Sequence, residues 1–257
     1  MRLQNKVILI TGAGSGIGKS SALLFASEGG IIAVNDVNEQ NGVSVVEEIQ
    51  QKGGQAAFFA ADITKPAEVE RMVEQLIAQF GRIDVLFNNA GISGVGFLHE
   101  TDPEDWDRIF AVNVKGVFLV SKYVLPHMMR QRSGSIINMS SCIAEIGLAR
   151  RTSYAATKGA VLSLTKSMQV DYAAYNIRVN ALLPGTVYTP FVEHYLKTSY
   201  DDPEAAYEAL KSRQLGGDLA RPDDVAKAAL FLASDDSKHM MGSPLYLDAG
   251  TTFGKHA

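Results

Sequence analysis

The sequence predicts an α/β protein built on a doubly wound, seven-stranded parallel sheet. Three observations predict it. Seven short apolar runs alternate with helical stretches along 257 residues, the pattern of parallel strands joined by crossover helices. Several of these runs are apolar throughout rather than alternating, which suits strands covered on both faces. The first run feeds straight into a glycine-rich turn that opens a helix.

That first run is Val7-Ile8-Leu9-Ile10-Thr11, followed by Gly12-Ala13-Gly14-Ser15-Gly16-Ile17-Gly18 and a helix over 19–28. Glycines between a strand and a helix bring backbone N–H groups and the helix N-terminus close to a pyrophosphate. The second strand, Ile31-Ile32-Ala33-Val34-Asn35, ends at Asp36, eighteen positions after Gly18. An acidic side chain there can accept both ribose hydroxyls of an adenosine and repels the extra phosphate of NADP. Ser15 offers no cation to attract that phosphate, so the cofactor expectation is NAD. The alternative for Asp36 is a turn or helix cap, which Asn38 could serve equally well.

A helix over 39–52 leads through Gly53-Gly54 to a third strand over 56–60. Asp62 and Ile63 then stand at a strand end, a natural edge for an adenine ring. Thr64 and Pro66 read as a helix start. Val69, Met72, Val73, Leu76, Ile77 and Phe80 make an i, i+3, i+4, i+7 core stripe that Gly81 stops. The fourth strand, 84–87, ends in Asn88-Asn89-Ala90-Gly91, at the edge where a bound nucleotide is approached. A long helical region over 103–132 follows. Asn113 interrupts its apolar face and is either a hydrogen-bonded core residue or part of a site.

The strand 135–139 delivers Ser140 and Ser141, and the next helix carries Tyr154 and Lys158. Four residues apart, these two share one helix face. An ammonium beside a phenol favours the phenolate and makes Tyr154 a usable proton donor or acceptor. A Ser141 hydroxyl can hold the substrate oxygen as the proton moves. A sixth strand, 177–183, precedes Pro184-Gly185-Thr186-Val187-Tyr188-Thr189-Pro190. Weak periodicity over 191–218 predicts a lid of short helices. A helix from 222 and a last strand over 244–247 complete one domain, 1–257.

Composition bounds the partners. A hydrophobic share of 46%, a charged share of 20% and a formal net charge of −4 leave no footprint for nucleic acid or an anionic membrane. No uninterrupted apolar stretch reaches spanning length. Cys142, the single cysteine, suits a reducing compartment and reads as a small buried residue. The five histidines at 99, 127, 194, 239 and 256 lack metal-ligand spacing, so no metal is expected. The N-terminus shows no secretory pattern, which makes the cytoplasm the default location.

Together the motifs 11–18, Asn88-Asn89-Ala90-Gly91, Asn113, Ser141, Tyr154-x-x-x-Lys158 and Pro184-Gly185 to Thr189 resemble the short-chain dehydrogenase/reductase family across essentially the whole chain. The family's serine stands thirteen residues before its tyrosine, which selects Ser141 over Ser140. The resemblance implies a Rossmann-type domain and hydride exchange between nicotinamide and a substrate carbon. Tyr154 would move the hydroxyl proton and Ser141 orient the oxygen. Lys158 would hold the nicotinamide ribose, and Asn113 would fix a relay water. The dinucleotide would lie along Gly12, Ser15, Gly16, Ile17, Gly18, Asp36, Asp62, Ile63, Asn89, Ala90 and Gly91. Tyr154, Lys158, Pro184, Gly185, Val187 and Thr189 would complete that site. A homotetramer is the usual assembly, with helices near 103–132 and 152–175 between subunits.

Within the family the chain is similar to a branch of 3-hydroxybutyrate and 2-keto-3-deoxy sugar acid dehydrogenases. Arg151 and Arg213 carry that similarity and would suit a carboxylate; surface solvation is the alternative for both. Tyr195 stands where the branch would show a further arginine, which leaves room for a neutral polyol or sugar. The competing functions are a 3-oxoacyl or other carbonyl reductase, opposed by Asp36, and a non-catalytic dinucleotide sensor, opposed by the intact Ser/Tyr/Lys set.

Overall fold

The computed structural model describes residues 1–254, with the side chains of Phe191 and Tyr195 outside the described residues. Its strands are β1 (Val7–Thr11), β2 (Ile31–Asp36), β3 (Gln55–Ala60), β4 (Val85–Asn88), β5 (Gly134–Met139), β6 (Ile177–Pro184) and β7 (Pro244–Leu247). They form one parallel sheet in the order β3-β2-β1-β4-β5-β6-β7. The order reverses between β1 and β4, so the loops after these two strands diverge and open a crevice at their carboxyl ends.

The pleat explains the apolar runs. In β1, Ile8 and Ile10 face one core while Val7 and Leu9 face the other. The first core is closed by α1 (Gly16–Ser27), α2 (Glu39–Gln51) and α9 (Pro222–Ala233), through Phe25, Val45, Ile49 and Ala229. The second is closed by α3 (Pro66–Phe80), α5 (Gly116–Gln131) and α6 (Thr152–Tyr172), through Met72, Leu76, Val120 and Met168. Of the predicted stripe on α3, Val69, Met72, Val73 and Leu76 are buried and Ile77 and Phe80 are half-buried against the same core, and Gly81 ends that helix in the left-handed region at φ 77°. Its start differs: Lys65 is the cap position, and the Thr64 hydroxyl instead donates to Asp62.

The long helical region is α4 (Pro103–Phe110) and α5, joined by a wider π turn at Ala111–Lys115. By length and mean hydropathy Pro103–Gln131 could cross a membrane, although no uninterrupted apolar run foretold it. Half of its most apolar window is buried, and α5 packs on α3, β4 and β5 as a core helix does. The predicted lid is α7 (Pro190–Ser199) and α8 (Pro203–Lys211). Val192, Leu196, Leu210 and Leu219 give it a small core of its own.

Arg178 on β6 is buried, and its guanidinium donates to the carbonyls of Leu232 and Ser234 at the end of α9 and of Ser237 in the 3-10 turn that follows. The Leu232 and Ser234 carbonyls are ones for which the end of α9 has no partner within the helix. The arginine therefore serves as a C-terminal cap supplied from the sheet.

Candidate active site

The crevice between β1 and β4 is a cleft of about 380 Å³. Its floor is the glycine-rich turn. Gly12 has φ +62°, and a Cβ there would lie 2.9 Å from the Ala90 backbone. A Cβ on Gly18 would lie 2.2 Å from the Gly12 carbonyl oxygen. Only glycine permits this approach of loop to helix. Ser15 and Ile17 line the cleft with Gly12 and Gly16, while Gly18 is buried and is not part of its lining.

Across from the turn, Asn89 stitches the two loops together. Its side-chain amide donates to the carbonyls of Thr11 and Gly12 at 2.9 and 3.1 Å. The Thr11 hydroxyl accepts from the backbone of Asn89 and Ala90. Asn89, Ala90 and Gly91 thereby form a fixed wall of the cleft. Farther along, half-buried Asp36 accepts from Gly14 N at 2.9 Å and from Asn38 N at 2.9 Å. The cap of α2 is Asn38, whose side chain accepts from Asn41 N, which leaves Asp36 on the cleft wall. Asp62 and Ile63 line the same end. Burial pushes the Asp62 carboxyl up, but two Thr64 hydrogen bonds and nearby Lys65 leave it below its ordinary value.

The opposite end meets α6, where Tyr154 and Lys158 both line the cleft. The Lys158 amine lies 5.5 Å from the Tyr154 ring centre. It donates to the Met139 carbonyl at 2.8 Å and is buried, which pushes its pKa down to about 8. Desolvation favours the uncharged amine. Asn113 does not line the cleft; it is buried just behind Gly91. Its Oδ1 accepts from Ile92 N, and its Nδ2 donates to Ile92 O and to the Thr157 hydroxyl, at 2.8, 2.8 and 3.1 Å. Its two sequence readings therefore merge: it is a hydrogen-bonded core residue that shapes the site.

A second pocket of about 150 Å³ adjoins the cleft, and Ile17, Met139, Tyr154 and Thr189 line both. Ser141, Pro184, Gly185, Val187, Arg151 and Arg213 line this second space. Ser140 lines this space as well, but the two hydroxyls find different partners, as successive residues of an extended chain point to opposite sides. Ser140 donates to the Lys158 carbonyl at 2.9 Å, whereas Ser141, nine per cent exposed, donates to Pro184 O at a long 3.4 Å. Arg151 is buried and donates to the Ser93 hydroxyl at 2.7 Å. Surface solvation is thereby excluded for Arg151. Arg213 is exposed at the pocket rim.

The Tyr195 side chain and His256 lie outside the described residues. Among the described residues no three His, Cys, Asp or Glu side chains converge as a metal site would require. Burial pushes the Cys142 thiol up to about 11, so it is an inert neighbour of Ser141. Sequence reasoning missed Ser93, Ile92 and the Met139 carbonyl, whose roles depend on long-range contacts no local pattern announces.

A family model described as enoyl-(acyl carrier protein) reductase matches residues 12–252. An uncharacterized oxidoreductase of Thermotoga maritima is 45% identical over 98% of this chain and 99% of its own. A 3-oxoacyl-(acyl-carrier-protein) reductase of the same organism is 42% identical over 97% and 99%. Among solved structures, a gluconate 5-dehydrogenase from Burkholderia cenocepacia, in complex with NADP and tartrate, superposes with a TM-score of 0.93 at 36% identity. That match covers 99% of this chain and 98% of the other. With a glycine-floored crevice at the strand switch point and near-full-length kinship of this kind, the chain belongs to the short-chain dehydrogenase/reductase family of oxidoreductases.

Proposed function

We propose that this protein is an NAD-dependent oxidoreductase that interconverts a secondary alcohol, of a sugar, sugar acid or hydroxy acid, and its carbonyl. The observation that carries it is the placement of Tyr154 and buried Lys158 where the cleft and the smaller pocket meet. The cradle closed to any Cβ at Gly12 and Gly18 fits a dinucleotide, with Asp36 at its adenosine end. A bound nicotinamide dinucleotide supplies the hydride acceptor or donor. In alcohol oxidation the Tyr154 phenolate oxygen takes the substrate hydroxyl proton, and in reduction its phenol returns one. Ser141 Oγ donates to the substrate oxygen and orients it. The Lys158 amine, when protonated, stabilises the phenolate and would hold the nicotinamide ribose. Asn113 fixes the cleft wall beside the amine, in the relay that returns the proton to water. Arg151, with Arg213 at the rim, receives a substrate carboxylate. On family likeness, the working form is a cytoplasmic homotetramer.

A second reading, a 3-oxoacyl reductase using NADPH, draws on the 42% identical relative. Asp36 separates the two. A carboxylate suits free ribose hydroxyls and disfavours a phosphate there. Asp36→Asn keeps an acceptor for Gly14 N–H and removes the charge. It should shift the NAD/NADP selectivity toward NADP by roughly ten- to a hundredfold, as loss of a charged hydrogen-bond partner does. An unchanged ratio of kcat/KM values for the two cofactors would refute the assignment. The function itself is tested by NADH absorbance with D-gluconate, 3-hydroxybutyrate and simple secondary alcohols, against a 3-oxoacyl thioester with NADPH. Turnover of the thioester alone would favour the second reading. NAD binding with no turnover of any would favour a sensor.

A further inference from the structure

Thr157 stands between Tyr154 and Lys158 on α6 and is fully buried. Its hydroxyl donates to the Tyr154 carbonyl at 2.8 Å. With its single proton committed there, the oxygen presents only lone pairs to other groups. Asn113 Nδ2 donates to one of them at 3.1 Å. The remaining bonds of that amide bracket the Ile92 backbone, one accepted and one donated. A Cβ on neighbouring Gly91 would lie 3.2 Å from Asn113 Oδ1 and 3.6 Å from the Lys158 amine. One continuous path of hydrogen bonds therefore joins the cleft wall, the π turn and the main chain of Tyr154.

A threonine bond to the carbonyl three residues back is ordinary in a helix. The bond from Asn113 is not local, since it reaches α6 from a different helix 44 residues away in sequence. It also uses the Nδ2 proton that the Ile92 bracket leaves over. We propose that Thr157 is a positioning residue for the proton-transfer step, holding Tyr154 in register with the cleft wall through Asn113. This rests on the alcohol–carbonyl function proposed above.

Valine keeps the branched shape and removes the hydroxyl, so Thr157→Val leaves a buried Asn113 donor without a partner. For Thr157→Val, kcat with NAD and the best alcohol of the panel should fall roughly ten- to a hundredfold, the scale of a small misplacement of reacting groups. The Kd for NAD, measured by fluorescence titration, should stay as in the wild type, because Asp36 and the glycine turn are untouched. Thr157→Ser, which restores the hydroxyl without the methyl group, should recover most of the loss. A structural role alone would lower Tm and leave kcat of the folded protein unchanged. If the valine variant does not fold, Thr157→Ala undergoes the same measurements. Wild-type kcat in the hydroxyl-free variant, or a serine variant as slow as it, would overturn the proposal while an inactive Tyr154→Phe left the function standing. An active Tyr154→Phe would instead overturn the function, and this proposal with it.

Discussion

Tyr154→Phe should reduce turnover by roughly 10²–10⁴-fold, the usual contribution of a positioned general acid or base. Only the phenolic oxygen is lost. The ring still fills the space where the cleft meets the pocket and still faces the Lys158 amine. Dinucleotide affinity should therefore change little, since the glycine turn and Asp36 lie at the other end of the cleft. The effect belongs to kcat rather than to the Kd of NAD, which separates loss of a proton donor from loss of binding. NADH absorbance reads the first and fluorescence titration the second. A variant that keeps a tenth of wild-type kcat would place the proton transfer elsewhere.

Lys158→Met should abolish activity to a similar degree and yet stabilise the dinucleotide-free protein near neutral pH. Burial holds the folded-state amine at about 8 against an ordinary 10.5, so the unfolded chain binds this proton more tightly than the folded one. Burial of the ammonium therefore costs stability in full below pH 8, and the cost fades as pH rises from about 8 toward 10.5. The difference between the two values corresponds to about 3 kcal/mol. Losing the donor to the Met139 carbonyl offsets about 1 kcal/mol of this. A net gain of about 2 kcal/mol would raise Tm by roughly 4–8 °C in a chain of this length. Thermal unfolding from pH 7 to 10 should show the variant's advantage shrinking as the wild-type amine deprotonates. A variant less stable at pH 7, or a pH-independent gap, would show that the buried amine carries no such penalty. On the proposed function, the destabilising group is kept because proton transfer at Tyr154 needs a cation beside the phenol.

The sheet was legible because its signal is local. A run such as Val7–Thr11, apolar on both faces between turn residues, admits few other readings, and the glycine turn identifies the strand that begins the crevice. Tyr154 and Lys158 were legible for the same reason, since helix geometry alone puts them on one face. The parts that were not legible depend on distant partners. Whether Asn113 was core or site could not be decided without Ile92, 21 positions earlier. The π turn around it leaves no mark in periodicity. Ser140 and Ser141 are chemically identical, so only the family spacing chose between them; both line the pocket, and their partners differ, the Ser140 hydroxyl being committed at 2.9 Å to the Lys158 carbonyl and the Ser141 hydroxyl held by a longer bond to Pro184 O. Arg151 beside Tyr154 could have been a solvated surface cation; its burial against Ser93 shows otherwise.

The four leucines and valines that pack α7 and α8 against one another have a consequence for how such an enzyme diversifies. Because that seam shares no buried residue with the two large cores, exchanges between 191 and 210 should cost the sheet little, whereas Gln214 and Leu215 are bonded to Thr186 and Ala249 beyond the ends of β6 and β7. On the proposed function, substrate range can drift in this cassette while the hydride-transfer half stays constant, so grafting the segment from a relative should shift substrate preference at little cost in stability.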